Sequence, residues 1–166
     1  MDYADLTLLA TCAGTVHGSS CELPCMEGYR KSNDLLCTDG DFSSATCIKE
    51  CSDPPAVENA VQVWGCSDKP SGATCEIQCT GGFSTPPGKS EALCEDGAWS
   101  QVLCEKECSA PADIELVADL SCEEGETVHS GGVCTSRCLQ GFEPSKKSLS
   151  CTNGVLFPST FSCYRF

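Results

Sequence analysis

Cysteine content is the feature that most constrains this chain, because 17 of its 166 residues are cysteine. About one cysteine in ten residues is typical of a disulfide scaffold. Disulfides persist in oxidising compartments, so the composition predicts an extracellular location, the secretory pathway or another oxidising lumen. Zinc sites use paired C-x2-C spacings or added histidines, and the short spacing that recurs here is C-x3-C. We therefore expect no metal and no cofactor, and acidic clusters that form a solvated surface in preference to a calcium site.

The cysteines recur in three repeats, each anchored by the pattern C-x3-C-x2-G-aromatic. The anchors are CELPCMEGY, CEIQCTGGF and CTSRCLQGF, at residues 21–29, 75–83 and 134–142. Each anchor is followed by a turn of the form C-x-(acid or amide)-Gly and by a closing cysteine, and successive closing cysteines lie 57 and 59 residues apart. The spacing predicts three modules at 1–47, 51–104 and 108–163, joined by linkers at 48–50 and 105–107.

The first repeat holds five cysteines, whereas the second and third hold six each. The missing one is the opening cysteine, represented by Cys51 and Cys108 in the other repeats, and alignment of the repeats places it just before Met1. We therefore interpret the first module as incomplete at its N-terminus and the chain as a segment of a longer array or a partial sequence.

Strand and turn signals dominate inside each repeat. Residues 60–64 and 75–79 alternate with a period of two, and Gly-Gly, Asp-Gly and Asn-Gly pairs punctuate the chain as turns. No segment carries a long apolar stripe with the helical period. The pattern predicts an all-β fold, and a unit of fewer than 60 residues buries too little apolar surface to be stable without covalent staples.

Aromatic residues suggest where each small core lies. One follows the turn cysteine by five or six positions in every repeat, as Phe42, Trp99 and Phe157. We interpret these three as core residues. Trp64 has no counterpart in the other repeats and lies next to Cys66. It is equally compatible with a core position and an exposed contact, which makes it the candidate binding-surface residue.

The combined pattern resembles the sushi module, also called the complement control protein (CCP) module. That family has an opening C-x2-P, a C-x2-G-aromatic segment, then C-x2-G-x-W and a closing cysteine. The second repeat carries the best match, through Cys51 and Pro54, Cys79 with Gly82 and Phe83, Cys94 with Gly97 and Trp99, and Cys104. The resemblance implies small, disulfide-rich, tandem sushi-like β modules in an elongated array.

The resemblance also implies a disulfide pairing, because the first conserved cysteine of a sushi module bonds the third and the second bonds the fourth. Carried over, this gives Cys25–Cys47, Cys51–Cys94, Cys79–Cys104, Cys108–Cys151 and Cys138–Cys163, and it leaves Cys37 unpaired. Ordinary sushi modules lack the additional cysteines found here, which suit a third, local bridge: Cys12–Cys21, Cys66–Cys75 and Cys122–Cys134. Six cysteines allow 15 pairings, so the assignment depends on the resemblance.

Charge and motif content narrow the function. A formal charge of −14 disfavours nucleic acid, and no run of 18 apolar residues is present to insert into a membrane. No catalytic motif occurs, and the repeated Thr-Val-His at His17 and His129 is interpreted as serving the shared fold. We predict a non-enzymatic, extracellular-type binding or adhesion segment of a larger surface or secreted protein, with a protein or carbohydrate partner.

Two other functions remain open at this point. The first is a structural, disulfide-hardened subunit of an extracellular matrix, coat or filament, whose partners are neighbouring chains. The second is a small secreted inhibitor, which requires an exposed rigid loop. Residues 84–88, Ser-Thr-Pro-Pro-Gly, are the stretch that fits such a loop.

Overall fold

The structure, a computed structural model, describes residues 12–61 and 65–165. These residues form 18 β-strands and contain no α-helix. They fall into two compact units, the first of which holds residues 12–55, 65–75 and 93–100. The second unit holds residues 56–61, 76–92 and 101–165. The all-β, disulfide-rich fold class predicted from the sequence is thus confirmed.

The first unit contains six complete strands. They are β1 (Ser20–Cys21), β2 (Tyr29–Lys31), β3 (Leu35–Thr38), β4 (Asp41–Phe42), β5 (Cys47–Lys49) and β9 (Ala98–Trp99). Strands β1, β3 and β4 form an antiparallel sheet in that order, and β2 pairs with β5. Two further strands, β6 (Thr74–Glu76) and β8 (Glu91–Glu95), contain residues of both units and form a sheet in the order β6-β8-β9. A small core of Leu23, Leu35 and Ala45 packs with Cys12 and Cys47.

The second unit contains ten complete strands. They are β7 (Phe83–Ser84), β10 (Glu105–Lys106), β11 (Cys108–Ser109), β12 (Val117–Cys122), β13 (Thr127–Val128), β14 (Val133–Cys138), β15 (Phe142–Pro144), β16 (Ser148–Thr152), β17 (Val155–Phe157) and β18 (Cys163–Arg165). The main sheet has the order β12-β14-β16-β17, so β17 is an edge strand. Its buried side, with Leu149 and Leu156, packs on Val128, Phe161 and four half-cystines.

Eight disulfides staple these short strands. They join Cys12 to Cys21, Cys25 to Cys47, Cys51 to Cys94, Cys66 to Cys75, Cys79 to Cys104, Cys108 to Cys151, Cys122 to Cys134 and Cys138 to Cys163. Cys37 is buried and its thiol is free. Each bond typically contributes about 2–4 kcal/mol by restricting the unfolded chain, which offsets the small apolar cores.

Residues after each closing cysteine are strand residues. Lys49 of β5 lies opposite Tyr29, Lys106 of β10 lies opposite Phe83, and Arg165 of β18 lies opposite Phe142. In every repeat, therefore, the aromatic residue of the C-x2-G-aromatic segment is paired with a basic residue that follows the closing cysteine. Backbone pairing therefore holds those residues of 48–50 and 105–107 that belong to β5 and β10.

The core assignment made for the three turn-following aromatics is wrong for two of them. Phe42 is 41% exposed and Phe157 is 80% exposed. Trp99 is half-buried, and its Nε1 donates a hydrogen bond of 2.8 Å to the carbonyl oxygen of Asp53. In the third repeat the buried residue of this hairpin is Leu156, the neighbour of Phe157. For Phe157, the reason is the register of the hairpin.

Candidate binding surface

A two-residue turn sets the register of the last hairpin in every repeat. Asn153 and Gly154, which join β16 to β17, have φ angles of 43° and 82°. Asp39-Gly40 and Asp96-Gly97 also have positive φ at both positions. Two successive positive φ angles are characteristic of the type I′ turn, which Asn-Gly and Asp-Gly favour because these residues tolerate the left-handed region. The sequence therefore specifies the turn that closes each hairpin.

This turn places the fifth residue after the cysteine opposite that cysteine. Cys37 lies opposite Phe42, Cys94 opposite Trp99, and Cys151 opposite Leu156. The sixth residue lies on the other side of the sheet, because successive side chains of a strand alternate. Phe157 is a sixth residue, opposite Ser150, and so points away from the core. The sequence pattern, an aromatic residue five or six positions after the cysteine, did not reveal that these two positions lie on opposite sides of the sheet.

Seven outward residues of strands β14, β16 and β17 form a continuous surface that we call the third-repeat face. Pairing places Val133 opposite Ser150, which lies opposite Phe157, while Thr135 lies opposite Ser148, and Thr152 opposite Val155. Residues directly opposite share one side of a sheet. Val133, Val155 and Phe157 are 43%, 66% and 80% exposed. Two valines, a phenylalanine and four hydroxyl side chains thus make up the face.

Serine occupies the position of Phe157 in the other two repeats. The Ser43 hydroxyl accepts a hydrogen bond of 2.9 Å from the backbone N–H of Leu36. The Ser100 hydroxyl accepts one of 2.8 Å from the N–H of Leu93. In those repeats the sixth residue satisfies a backbone donor of the neighbouring strand. In the third repeat, that small polar residue is replaced by an exposed aromatic ring.

Charge also differs at equivalent positions. Counted from the shared cysteines, the second repeat has glutamate at three of the seven positions: Glu76, Glu91 and Glu95. The third repeat has Thr135, Ser148 and Thr152 there. The seven residues of the third-repeat face are therefore uncharged, in a chain with 24 acidic residues, and the exposed Arg137, two positions after Thr135 on β14, borders them.

A carboxylate borders the face. Glu124 accepts two hydrogen bonds of 2.7 Å from Thr135, one from its N–H and one from its hydroxyl. Partial burial acts to raise the pKa of Glu124, but the hydrogen bonds from Thr135 prevail and lower this pKa below its usual value. The bonds fix Thr135 at the margin of the third-repeat face.

The two histidines are not equivalent in the structure, although each ends a Thr-Val-His sequence. His17 Nδ1 accepts a hydrogen bond of 3.0 Å from the N–H of Asp39. The hydroxyls of Ser71 and Ser130 accept from Asp96 and Asn153 in the same way. His129 lies one position earlier than Ser130, and its Nδ1 is 2.8 Å from Glu107 Oε1.

The sequence suggested that the two histidines serve the shared fold in the same way. This prediction is wrong, because their positions differ by one residue relative to the following glycine. His17 closes a loop in the first repeat, and His129 contacts residue 107 next to the third repeat. Among the described residues, no group of His, Cys, Asp and Glu is arranged to hold a metal ion. No helix in this part of the chain is long and apolar enough to cross a membrane.

The loop considered for an inhibitor, residues 84–88, packs against the third repeat. Ser84 Oγ accepts a hydrogen bond of 3.3 Å from the N–H of Ser130. A Cβ at Gly131 would lie 3.1 Å from Pro87 and 3.4 Å from Pro86, so the two prolines cover this glycine. Residues 84–86 are half-buried by this packing, so this part of the loop does not project as an inhibitory loop does. Trp64, the binding-surface residue suggested by the sequence, lies outside the described residues.

Comparison with known families matches residues 51–104 to the Sushi repeat (SCR repeat). Residues 51–104 are thus similar to a sushi repeat. The family resemblance drawn from the sequence is thereby confirmed for the second repeat. No curated protein matches the chain. Sushi repeats are typically non-catalytic modules that mediate protein interactions, and with the eight disulfides they indicate an oxidising extracellular or secretory environment.

Sequence reasoning missed Phe157 as a surface residue, but the signal was present. In each repeat, the turn Cys-x-x-Gly and strict alternation fix which side of the sheet each residue of the hairpin occupies. Counting from Cys151 gives Leu156 as the inward residue and Phe157 as the outward one. Comparing Phe157 with Ser43 and Ser100 then identifies it as specific to the third repeat.

Proposed function

We propose that the chain is a non-enzymatic, extracellular-type binding segment of a larger surface or secreted protein, and that its contact surface is the third-repeat face. The proposal extends the sushi assignment from residues 51–104 to modules at 1–47 and 108–163. It is supported by the recurrence of the same three-bridge cysteine pattern in the second and third repeats. The modules provide the scaffold, and the face provides the specificity.

The exposure of Phe157 is the observation that carries this proposal. Single exposed apolar residues are ordinary on protein surfaces, so exposure alone says little. Here the exposed ring replaces a hydrogen-bonding serine, and three glutamates around its position are replaced by hydroxyl residues. Aromatic residues are enriched among the anchors of binding interfaces. The combined changes convert a solvated acidic surface into one suited to contact.

We also propose that the junction at residues 105–107 is restrained. Support comes from the second unit, where Asn153 Oδ1 accepts a hydrogen bond of 3.0 Å from the N–H of Lys106. The Ser130 hydroxyl donates to Glu105, and the Lys106 stem covers Gly154, where a Cβ would lie 3.0 Å from Lys106 Cδ. Contacts of this kind limit rotation about residues 105–107.

The binding proposal is tested with streptavidin tetramers of the biotinylated chain, applied to cells and extracellular matrix of the source organism. Tetramers of the natural sequence are expected to label these surfaces. Phe157→Ser, which restores the residue of the other repeats, is expected to weaken labelling at least tenfold, since an anchor side chain contributes more than about 1.4 kcal/mol. Leu139→Ser serves as the control, because Leu139 is 47% exposed and lies outside the face.

Equal labelling by the natural chain and Phe157→Ser would contradict the proposal. A chain that labels nothing and instead forms concentration-dependent oligomers in analytical ultracentrifugation would favour the structural-subunit function.

A further inference from the structure

We propose that the third-repeat face binds a neutral oligosaccharide, with Phe157 as the stacking ring and Ser148, Ser150 and Thr152 as hydrogen-bonding groups. This inference rests on the proposed function and names the chemical class of its ligand.

The hydroxyls of the face are available to a ligand. In the part of the chain that the structure describes, the side chains of Ser148, Ser150 and Thr152 are exposed and form no hydrogen bond with the protein. A hydroxyl both donates and accepts hydrogen bonds, as do the hydroxyls of a sugar. Side chains at alternate positions of one strand are about 6.6 Å apart, from a rise of about 3.3 Å per residue. The three hydroxyls on β16 therefore form a regular row.

The aromatic ring completes the platform. Phe157 lies opposite the middle residue of that row, Ser150, and is 80% exposed. The face of an aromatic ring carries partial negative charge and attracts groups with a positive edge. The C–H groups on the apolar side of a sugar ring provide such an edge, while its hydroxyls remain free to bond the row. Val133 and Val155 add apolar surface on either side of the strand β16.

The dimensions favour an oligosaccharide over a folded protein. Two inter-strand spacings of about 4.8 Å and four residue rises of about 3.3 Å give a surface of roughly 10 Å by 13 Å. A stable protein–protein interface buries about 800 Å² on each partner, several times this area. A few consecutive sugar rings fit a surface of this size.

Neutrality of the ligand follows from the charges, since one carboxylate, Glu124, and one guanidinium, Arg137, border the face. The chain has a net charge of −14, so a polyanionic glycan is repelled. Glu124, at the rim, accepts hydrogen bonds from Thr135 and so adds a negative charge next to the face. A polycation is attracted by the acidic repeats in general and has no reason to select the one face that lacks glutamate. A neutral, hydroxyl-rich ligand matches the face and not the rest of the surface.

The test is a titration of the 15N-labelled full chain with neutral and anionic glycans, followed by amide chemical shifts. The neutral probes are chitin hexasaccharide and soluble β-1,3-glucan, mannan and galactan, each to about 10 mM in sugar units, and the anionic probe is heparin. At least one neutral probe is expected to shift amides of residues 133–135, 148–152 and 155–157, and heparin is expected to leave them unchanged.

Variants decide whether the face is responsible. Phe157→Ala and the pair Ser148→Glu with Thr152→Glu, which installs glutamates of the second repeat, are each expected to raise the Kd at least tenfold. Phe157→Tyr retains binding because it keeps the ring, and Leu139→Ala retains it because it lies elsewhere. Unchanged disulfide content and dispersed amide spectra show that each variant is folded.

Failure of every neutral probe to shift these amides overturns the inference, as does full binding by Phe157→Ala. Tetramer labelling that depends on Phe157 but is not inhibited by any of the neutral glycans added as competitors overturns the oligosaccharide inference alone and leaves the binding function standing. Labelling that is independent of Phe157 overturns both. Concentration-dependent broadening confined to the face identifies a second copy of the chain as the occupant and also overturns the inference.

Discussion

The second and third repeats have the same pattern of three disulfides and the same Cys-x-x-Gly hairpin turn, but opposite surface chemistry. At equivalent outward positions, the second repeat has Glu76, Glu91 and Glu95 with Ser100. The third repeat has hydroxyl residues in place of the glutamates, and Phe157 in place of Ser100. The cysteine scaffold therefore determines the fold, while the residues on the outward side of the hairpin are free to vary.

The composition of the core explains why the outward residues can vary while the fold is kept. In the third repeat, half-cystines make up a large part of the buried cluster, together with Leu149, Leu156 and Phe161. Covalent bonds restrict the unfolded chain whatever residues lie on the surface. Outward positions of the sheet therefore contribute little to stability, and an exposed phenylalanine is tolerated there.

The largest expected effect is a difference in the free energy of unfolding between substitutions of two adjacent residues, Leu156 and Phe157. Leu156→Ala removes a 9% exposed side chain from the core and is expected to lower the free energy of unfolding by about 2–4 kcal/mol. Phe157→Ala changes an 80% exposed side chain and is expected to alter it by about 0.5 kcal/mol or less. Guanidinium unfolding with disulfides intact measures both.

The same pair supplies its own control, because the two residues are neighbours on one strand. A greater loss of stability in Phe157→Ala than in Leu156→Ala would show that the hairpin register is reversed. The third-repeat face would then be part of the core, and the comparison with the second repeat would fail.

A smaller effect concerns the rim of the face. The pKa of Glu124 is lowered in the folded state by hydrogen bonds from Thr135. Its contribution to stability is therefore present above the ordinary carboxyl pKa of 4.5 and is lost as the pH falls through the lower folded value. Because Glu124 is exposed, the effect is about 0.5 kcal/mol or less.

Glu124→Gln is expected to remove this part of the pH dependence. Unfolding free energies at pH 6 and at successive steps below pH 4.5 measure the effect, and Glu115→Gln is the matched control on another segment. An identical decline for the natural chain and Glu124→Gln would refute the assigned role.

Much of the fold was accessible from the sequence because its determinants are local. The Asn153-Gly154 turn, the alternation of β16 and the closing cysteines are each visible in a short window. The exposure of Phe157 was not predicted, because Leu156 and Phe157 are both apolar and adjacent. Only the pairing of Leu156 with Cys151 decides which of the two faces the core.

The roles of the histidines and of loop 84–88 depend on contacts distant in sequence. His17 bonds Asp39, 22 residues away, and Ser130 reaches Ser84, 46 residues away. A repeated Thr-Val-His triplet cannot report such contacts, since a shift of one residue relative to the following glycine changes its partner. Propensity and motif spacing therefore predict the strands and turns of this chain better than its surface.

Disulfide mapping by non-reducing peptide mass spectrometry, with a free-thiol count, tests the comparison of the second and third repeats, because every equivalence between these two is counted from bonded cysteines. We expect Cys51–Cys94, Cys66–Cys75 and Cys79–Cys104 in the second repeat, matched by Cys108–Cys151, Cys122–Cys134 and Cys138–Cys163 in the third. It also predicts that Cys37 bonds no cysteine of this chain. A crossed pairing in either repeat, or a bond from Cys37 to one of these cysteines, would contradict it.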